Sequence, residues 1–322
     1  MRKLLCLPVL FFILACNSES KEPVRILADS NGNINNLQVV ITDVLWNGNV
    51  GENIRDIFAA PVDGLPQEEP LFNISQIPPK AFSGFARNNR IFLHVQQADT
   101  TYVKYGKEPF ASPQTGVFIS GPNAEAINEQ LTQNSAKIIY ALRAAEIQEK
   151  QRRINKSLLD LTDLQNDLGI SLEVPTAYRV AKKQDDFYWI RKDIRSGTLN
   201  IIAYQVDLDA IGSEDIIQDI ITLRDSIGGD NVTVDEGGRF ITEEAYAPYL
   251  FEVEIDGKFT YETKGTWEVK DKWMAGPFLN YAIKDPENNR YLIIEGFTFA
   301  PSIAKRDYQF ELEAIIKSIK LL

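Results

Sequence analysis

The chain has 322 residues, with 34 Lys and Arg against 45 Asp and Glu, two Cys and one His. That length, with 44% hydrophobic residues, supplies packed cores for two domains and gives no compositional case for disorder. A net charge of −11 repels phosphate backbones and leaves no counterion release to drive binding, so nucleic acid is excluded as a partner.

At the start of the chain, Arg2 and Lys3 precede an apolar stretch, Leu4 to Leu14, too short to span a bilayer, which takes about 20 apolar residues. The run Ile13-Leu14-Ala15-Cys16 resembles a bacterial lipobox, which implies cleavage before Cys16 and acylation of that residue with chains such as palmitate. An ordinary cleaved signal peptide is the alternative. On the lipobox reading, residues 1–15 are signal peptide and residues 16–36 are the lipidated Cys and a polar tether. The membrane is then a partner through the lipid on Cys16, since two or more acyl chains anchor stably. No disulfide can form, because Cys6 leaves with the peptide and Cys16 bears the lipid. Asn17, rather than Asp, follows Cys16; by resemblance to lipoprotein sorting signals this places the anchor in the outer membrane, with the body facing the periplasm.

Residues 37–122 read as an amino-terminal α+β domain. The turn from Asp29 to Asn35 fails the calcium-loop template, because Leu27 and Gln38 occupy the first and last ligand positions. Leu37 to Leu45 is β-branched and apolar enough for a buried strand. Ile54, Ile57 and Phe58 then mark a short amphipathic helix stopped by Pro61. Five prolines between Pro61 and Pro79 predict an extended loop outside any central sheet, exposing Gln67 and Glu69. Arg90 to Gln96 and Gly116 to Ser120 read as strands.

From Ala124 to Leu168 there is neither Gly nor Pro, and Gly169 stands at a helix end. Residues 123–169 therefore form a long helical segment, read as two packed pieces joined by a solvated middle from Glu146 to Lys156. Residues 170–322 form a carboxy-terminal α+β domain. It begins with a hairpin of Phe187 to Lys192 and Leu199 to Asp207, followed by a helix capped by Ser213 and ended at Gly228-Gly229. Asp256-Gly257 suits a two-residue hairpin turn. Tyr291 to Phe299 is apolar on both faces and predicts a central strand. Arg306 to Ile319 is a last helix. The fold class is α+β, antiparallel sheets packed with helices, with two halves joined by the long helical segment.

Several strings match a known pattern: Trp46-x-Gly48-x-x-Gly51 leading to Arg55, Pro61-Val62-x-Gly64-Leu65-Pro66-Gln67-x-Glu69-Pro70-x-Phe72, Ala111-x-Pro113-Gln114, Val174-Pro175-x-x-Tyr178, Gly276-Pro277-Phe278 and Ile294-Glu295-Gly296-Phe297. Over most of the mature chain the sequence resembles domain-of-unknown-function family 4837, a lipoprotein family of Bacteroidota. The resemblance implies an envelope lipoprotein and brings no catalytic residues with it.

The chemistry-bearing residues are few. His94 is the only histidine, so metal sites of two or more histidines are impossible and any Ser-His-acid triad depends on it; its alternation with Ile91, Leu93 and Val95 reads as a packed strand residue. No Gly-x-Ser-x-Gly elbow, phosphate loop or dinucleotide fingerprint is present. Acid pairs such as Glu68 with Glu69, Asp185 with Asp186, Asp207 with Asp209 and Asp235 with Glu236 read as solvated loops. Glu295 differs. Inside an apolar run, it needs a partner, with Arg306 or Lys305 expected, or it is a functional acid with a raised pKa. Four tryptophans, Trp46, Trp189, Trp267 and Trp273, offer a stacking platform or fill cores. The candidate binding surface is Trp46, Gln67, Glu69, Trp267 and Trp273; no catalytic residue, metal or cofactor is assigned. The chain reads as a non-enzymatic, lipid-anchored envelope protein that binds an envelope protein or polymer. The alternative is a glycan- or peptide-acting hydrolase using carboxylates, and its mark would be a groove holding two carboxyls and a tryptophan.

Overall fold

The computed structural model describes residues 26–212, 214–234, 237–270 and 272–322. The expected signal peptide, Cys16, the start of the expected tether and Ser213 lie outside the described residues.

In the amino-terminal half, strand β1 (Asn36–Val40) leads through a helical turn at Asp43–Trp46 into helix α1 (Asn49–Phe58). That turn is why the expected strand stops at Val40 and not at Leu45. Strands β2 (Asn73–Ile77), β3 (Ile91–Gln97), β4 (Tyr102–Lys107) and β5 (Thr115–Gly121) complete a sheet of order β2-β1-β3-β5-β4. Within the α+β class the two halves differ in pairing sense. Here β2, β1, β3 and β5 run parallel and only β4 is antiparallel. The Pro-rich segment enters this sheet through β2, at its edge, flanked by Pro70 and Pro78 where a ladder donor is not required. Leu37, Val39, Leu93, Val95, Val117 and Ile119 point to one face and are buried against α1 and the first part of helix α2 (Ala124–Ile154). The opposite face is covered by a loop, with Phe82 packed on Val40 and Phe92.

Helix α2 is unbroken over 31 residues, and the stretch from Glu146 to Lys156, expected to be solvated, is so on one side only: Gln148, Arg152, Arg153, Asn155 and Lys156 are exposed, whereas Glu146, Ile147, Glu149 and Ile154 are buried. Glu146 is fully buried, bound bidentately by Arg90 (2.6 and 3.1 Å) and by the Asn35 amide (2.6 Å). Glu149 is buried between Arg152 and Arg153. The cause is that α2 serves two cores: Ile127, Leu131, Ile138 and Leu142 pack on the first sheet, Ile147 and Ile154 on the second half.

In the carboxy-terminal half, helix α3 (Thr162–Leu168) precedes strands β6 (Arg179–Gln184), β7 (Phe187–Ile194) and β8 (Gly197–Asp207), then helix α4 (Ile216–Leu223). Strands β9 (Phe240–Thr242), β10 (Tyr249–Ile255), β11 (Lys258–Val269), β12 (Ala275–Asp285) and β13 (Arg290–Phe299) and helix α5 (Arg306–Ile316) follow. The sheet has the order β9-β11-β12-β13-β8-β7-β6, with β10 beside β9 along the same edge of β11, and every pairing is antiparallel. Asp256 (φ 49°) and Gly257 (φ 74°) make the tight β10–β11 turn. Helix α5, α3 and the end of α2 cover one face; α4 and the segment to Phe240 cover the other. Two features of α4 differ from expectation. Asp215 caps it, accepting from the Gln218 amide at 3.1 Å, and it continues as a π turn over Arg224–Gly228 that carries Arg224 into the core.

Candidate functional site

Parity along the central strands sets the site. On the α4 face, Asn280, Glu295, Ile202 and Trp189 form one cross-strand row. The next row is Phe278, Phe297, Asn200 and Arg191. Phe299, Thr198 and Asp193 follow, with Trp267 opposite Gly276 on the far side of the sheet. The last two rows floor a pocket of about 740 Å³, within the range that takes a small organic ligand.

Three tryptophans line this pocket: Trp189 and Trp267, which are buried, and Trp273, which is fully exposed on the β11–β12 hairpin. Trp267 packs on Phe240 and Phe297, with ring centroids 5.2 and 5.7 Å away. Its neighbour across the ladder must be glycine: a Cβ on Gly276 would lie 2.0 Å from the Thr298 carbonyl oxygen and 3.1 Å from the Trp267 Nε1. Among the described residues, Trp267 Nε1 is buried without a hydrogen-bond partner, while the polar groups around Asn200 satisfy one another. Trp189 Nε1 donates to Asn200 Oδ1 (3.0 Å), and Asn200 Nδ2 donates to the Thr198 hydroxyl (2.9 Å). At the mouth, Asp193 accepts from Arg191 (2.9 Å) and Arg179 (3.3 Å).

Glu295 stands one row behind the pocket, fully buried. Its partner is Arg224, neither Arg306 nor Lys305. Arg224 Nε donates to Oε1 at 3.0 Å, its Nη1 donates to the Thr242 hydroxyl at 2.8 Å, and Asn280 Nδ2 donates to the other carboxylate oxygen at 3.0 Å. The guanidinium lies between two rings, 4.6 Å from Phe240 and 3.9 Å from Phe278, a geometry in which aromatic faces stabilise the cation. Burial pushes the Glu295 carboxyl above its ordinary value, against the pull of Arg224 and Asn280. Both members of the pair are fully buried, and Arg224 Nη2 and Asn280 Oδ1 are left without hydrogen-bond partners among the described residues. The pair props Phe240, a wall of the pocket. Arg306 and Lys305 are engaged elsewhere: their backbone amides donate to the Glu69 carboxylate at 2.9 and 2.6 Å.

The other residues expected at a binding surface are dispersed. Trp46 lies at the amino-terminal core with the Arg55 guanidinium over its ring, 4.7 Å from the centroid. Gln67 is exposed at the tip of the Pro-rich loop, while Glu69 is turned inward onto the start of α5. Only Trp267 and Trp273 share the pocket. His94 packs between Phe82 and Phe118, with centroids 6.0 and 5.8 Å away, and burial lowers its pKa. A second cavity of about 280 Å³ lies between the Pro-rich loop, α2, β11 and α5. Two of its carboxylates are tied into pairs, Glu313 with Arg143 and Glu262 with Lys264, Asp63 is a third, and among the described residues no tryptophan lines it. Among the described residues, neither cavity combines two carboxyls with a tryptophan, the arrangement expected of a hydrolase groove. Among the described residues, no group of three or more His, Cys, Asp or Glu could hold a metal, and no helix is long and apolar enough to cross a membrane.

Phe240, Asn200, Phe297 and Phe299 do not stand out in the sequence. Phe297 and Phe299 share the parity of Glu295 along β13, whereas Asn200 and Phe240 join that face from strands with no tryptophan, which is visible only once strand order is known.

No curated protein matches the chain. Among solved structures, the Saccharomyces cerevisiae Ran-binding protein Mog1p aligns at 10% identity over 48% of this chain and 90% of its own, with a TM-score of 0.32. LpqN of Mycobacterium tuberculosis, described as involved in cell envelope biogenesis, aligns at 10% identity over 47% of this chain and 82% of its own, with a TM-score of 0.29. Likenesses this distant carry no argument about function. Family models divide the chain at the end of α2. Residues 30–155 match a domain of unknown function, DUF8532, so the strings from Trp46 to Gln114 belong to that match. The strings from Val174 onward, with the whole pocket and Glu295, fall in the other: by its match over residues 157–318, the chain belongs to the family described as Domain of unknown function (DUF4837).

Proposed function

We propose that this chain is a lipid-anchored cell-envelope protein that works by binding, held to the outer membrane through Cys16 with its body in the periplasm, and that the aromatic pocket of the carboxy-terminal sheet is its ligand site. One observation carries the reading: three of four tryptophans converge on a pocket of about 740 Å³, although Trp189 and Trp273 are far apart in sequence. Large aromatics give much contact area at low entropy cost and are favoured where one molecule grips another. The lipobox resemblance supports the anchor. The pocket narrows the expected partner, an envelope protein or polymer, to a small molecule or a protruding part of a larger one.

Native mass spectrometry of the full chain isolated from its own envelope tests this. A bound molecule is expected on the wild type and absent from Val234→Trp, which fills the pocket from a loop position. Wild-type protein with no adduct overturns the pocket assignment, and protein of unmodified mass at Cys16 overturns the anchor.

A further inference from the structure

The lining of the pocket discriminates between ligand classes; choosing among them rests on the proposal that the pocket is a binding site. We propose that the pocket takes a single acyl chain bearing an anionic head group, with the chain against Trp189, Phe297 and Phe299 and the head group at Lys272 and Arg191.

Three observations lead there. The first concerns the floor. Asn200, its most buried polar residue, spends both ends of its amide on Trp189 and Thr198. A sugar hydroxyl entering that space would give up water and find, besides the enclosed Trp267 Nε1, which has no partner among the described residues, few free groups, which is costly. An alkyl chain loses nothing of the kind and gains burial against four aromatic rings. The second is charge. Among the described residues the lining holds two cations, Arg191 and Lys272, against one carboxylate, Asp193. Asp193 is already shared between Arg191 and Arg179, and among the described residues Lys272 enters no ion pair. A cationic mouth on a chain of net charge −11 is a local reversal that favours an anionic head. The third is the exposed tip. Trp273 is fully exposed between Lys272 and Met274 on the hairpin at the mouth. An indole beside a cation is the pairing that settles at bilayer interfaces, apolar body inward and polar edge wet. Such a tip reaches a lipid surface and opens directly into an apolar pocket.

The test uses the full chain in its native envelope vesicles with three photoactivatable diazirine probes: palmitate, lysophosphatidate of the same chain, and hexadecanol. Labelled residues are mapped by tandem mass spectrometry. Labelling on the pocket strands by palmitate or lysophosphatidate is expected, at least about fivefold above hexadecanol. Which of the two is stronger separates a carboxylate source from a phosphate one. Lys272→Glu, an exposed change outside the core, is expected to cut labelling by the anionic probes about three- to tenfold and leave hexadecanol unchanged. Val234→Trp is expected to abolish pocket labelling by all three. Equal labelling by hexadecanol, or indifference to Lys272→Glu, overturns the head-group assignment. Absence of pocket labelling while native mass spectrometry still shows an adduct lost in Val234→Trp overturns the acyl ligand and leaves the pocket as a binding site. Absence of both overturns the two together.

Discussion

Glu295 is held inside the sheet because Arg224 reaches it from a π turn 71 residues away. A buried pair gives little net stability, yet removing one member leaves the other charged and unsolvated. Glu295→Gln is therefore expected to destabilise the protein by about 3–5 kcal/mol in urea denaturation, while Glu295→Leu combined with Arg224→Met recovers most of that loss. A double variant as unstable as the single would mean the pair is more than a brace for Phe240. Gly276 gives a second residue-scale expectation. Because its missing Cβ is the space occupied by the Thr298 carbonyl, Gly276→Ala must push two strands apart. A loss of about 1–3 kcal/mol and a weaker pocket ligand are the expected results, and wild-type stability would show that the ladder there is looser than its geometry indicates.

At the scale of elements, the Pro-rich loop straps the start of α5 while leaving Gln67 exposed. Glu69 satisfies the Lys305 and Arg306 amides at the start of α5, where the helix has unpaired N–H groups and a positive end. Arg306 returns a bond to the Pro70 carbonyl at 2.8 Å. Glu69→Ala is expected to cost about 1–2 kcal/mol, the size of a lost cap. Gln67→Ala, two residues away and exposed, is expected to stay within about 0.5 kcal/mol; equal effects would remove the capping role. Elements with a strong local signal were legible in the sequence: the apolar run of β13, the Asp256-Gly257 turn and the periodic face of α5. Strand β4 was not, because Lys104, Gly106 and Lys107 leave no alternation to read and the strand lies at an edge. The pocket was half legible. Its tryptophans stood out by composition, but their convergence depends on the order in which β7, β8, β13 and β11 meet, which no local pattern encodes. The partner of Glu295 was hidden for the same reason: Lys305 and Arg306 are its near neighbours in sequence, whereas Arg224 is close only in space.

At the scale of the molecule, two hydrophobic cores are joined by α2 and clamped by charge along its contact with α5. Arg143 binds Glu313, Lys150 and Lys192 bind Glu311, and Gln151 Nε2 donates to the Ala314 carbonyl. Burial works against ionisation of both glutamates, yet the cations win. Arg143, with Lys317 and Lys264, holds Glu313 well below the usual carboxylate range, and Lys150 with Lys192 lowers Glu311. Within α2, Glu149 is likewise held at about 2, where Arg152 and Arg153 outweigh its partial burial. A depressed folded-state pKa means that the unfolded chain takes up protons first as pH falls. These groups therefore give their full stabilisation above about pH 4.5, their ordinary value, and lose it progressively as pH drops toward 2. Glu295 acts with the opposite sign: its raised pKa makes the folded state the better proton acceptor, so acid relieves strain there while it loosens the clamp. The net expectation is falling stability below pH 4.5, to which the α2–α5 contact contributes through Glu311 and Glu313 and to which Asp167, Asp193, Asp256 and Asp285, lowered by their own partners, add. Urea denaturation at pH 7, 4.5 and 3 reads it directly. Glu313→Gln should lower stability at pH 7 and flatten the acid slope, since Arg143 then has no carboxylate to lose. If that variant keeps the wild-type slope, the two halves are held together by their apolar cores, and the charges along α2 decorate a contact that stands without them.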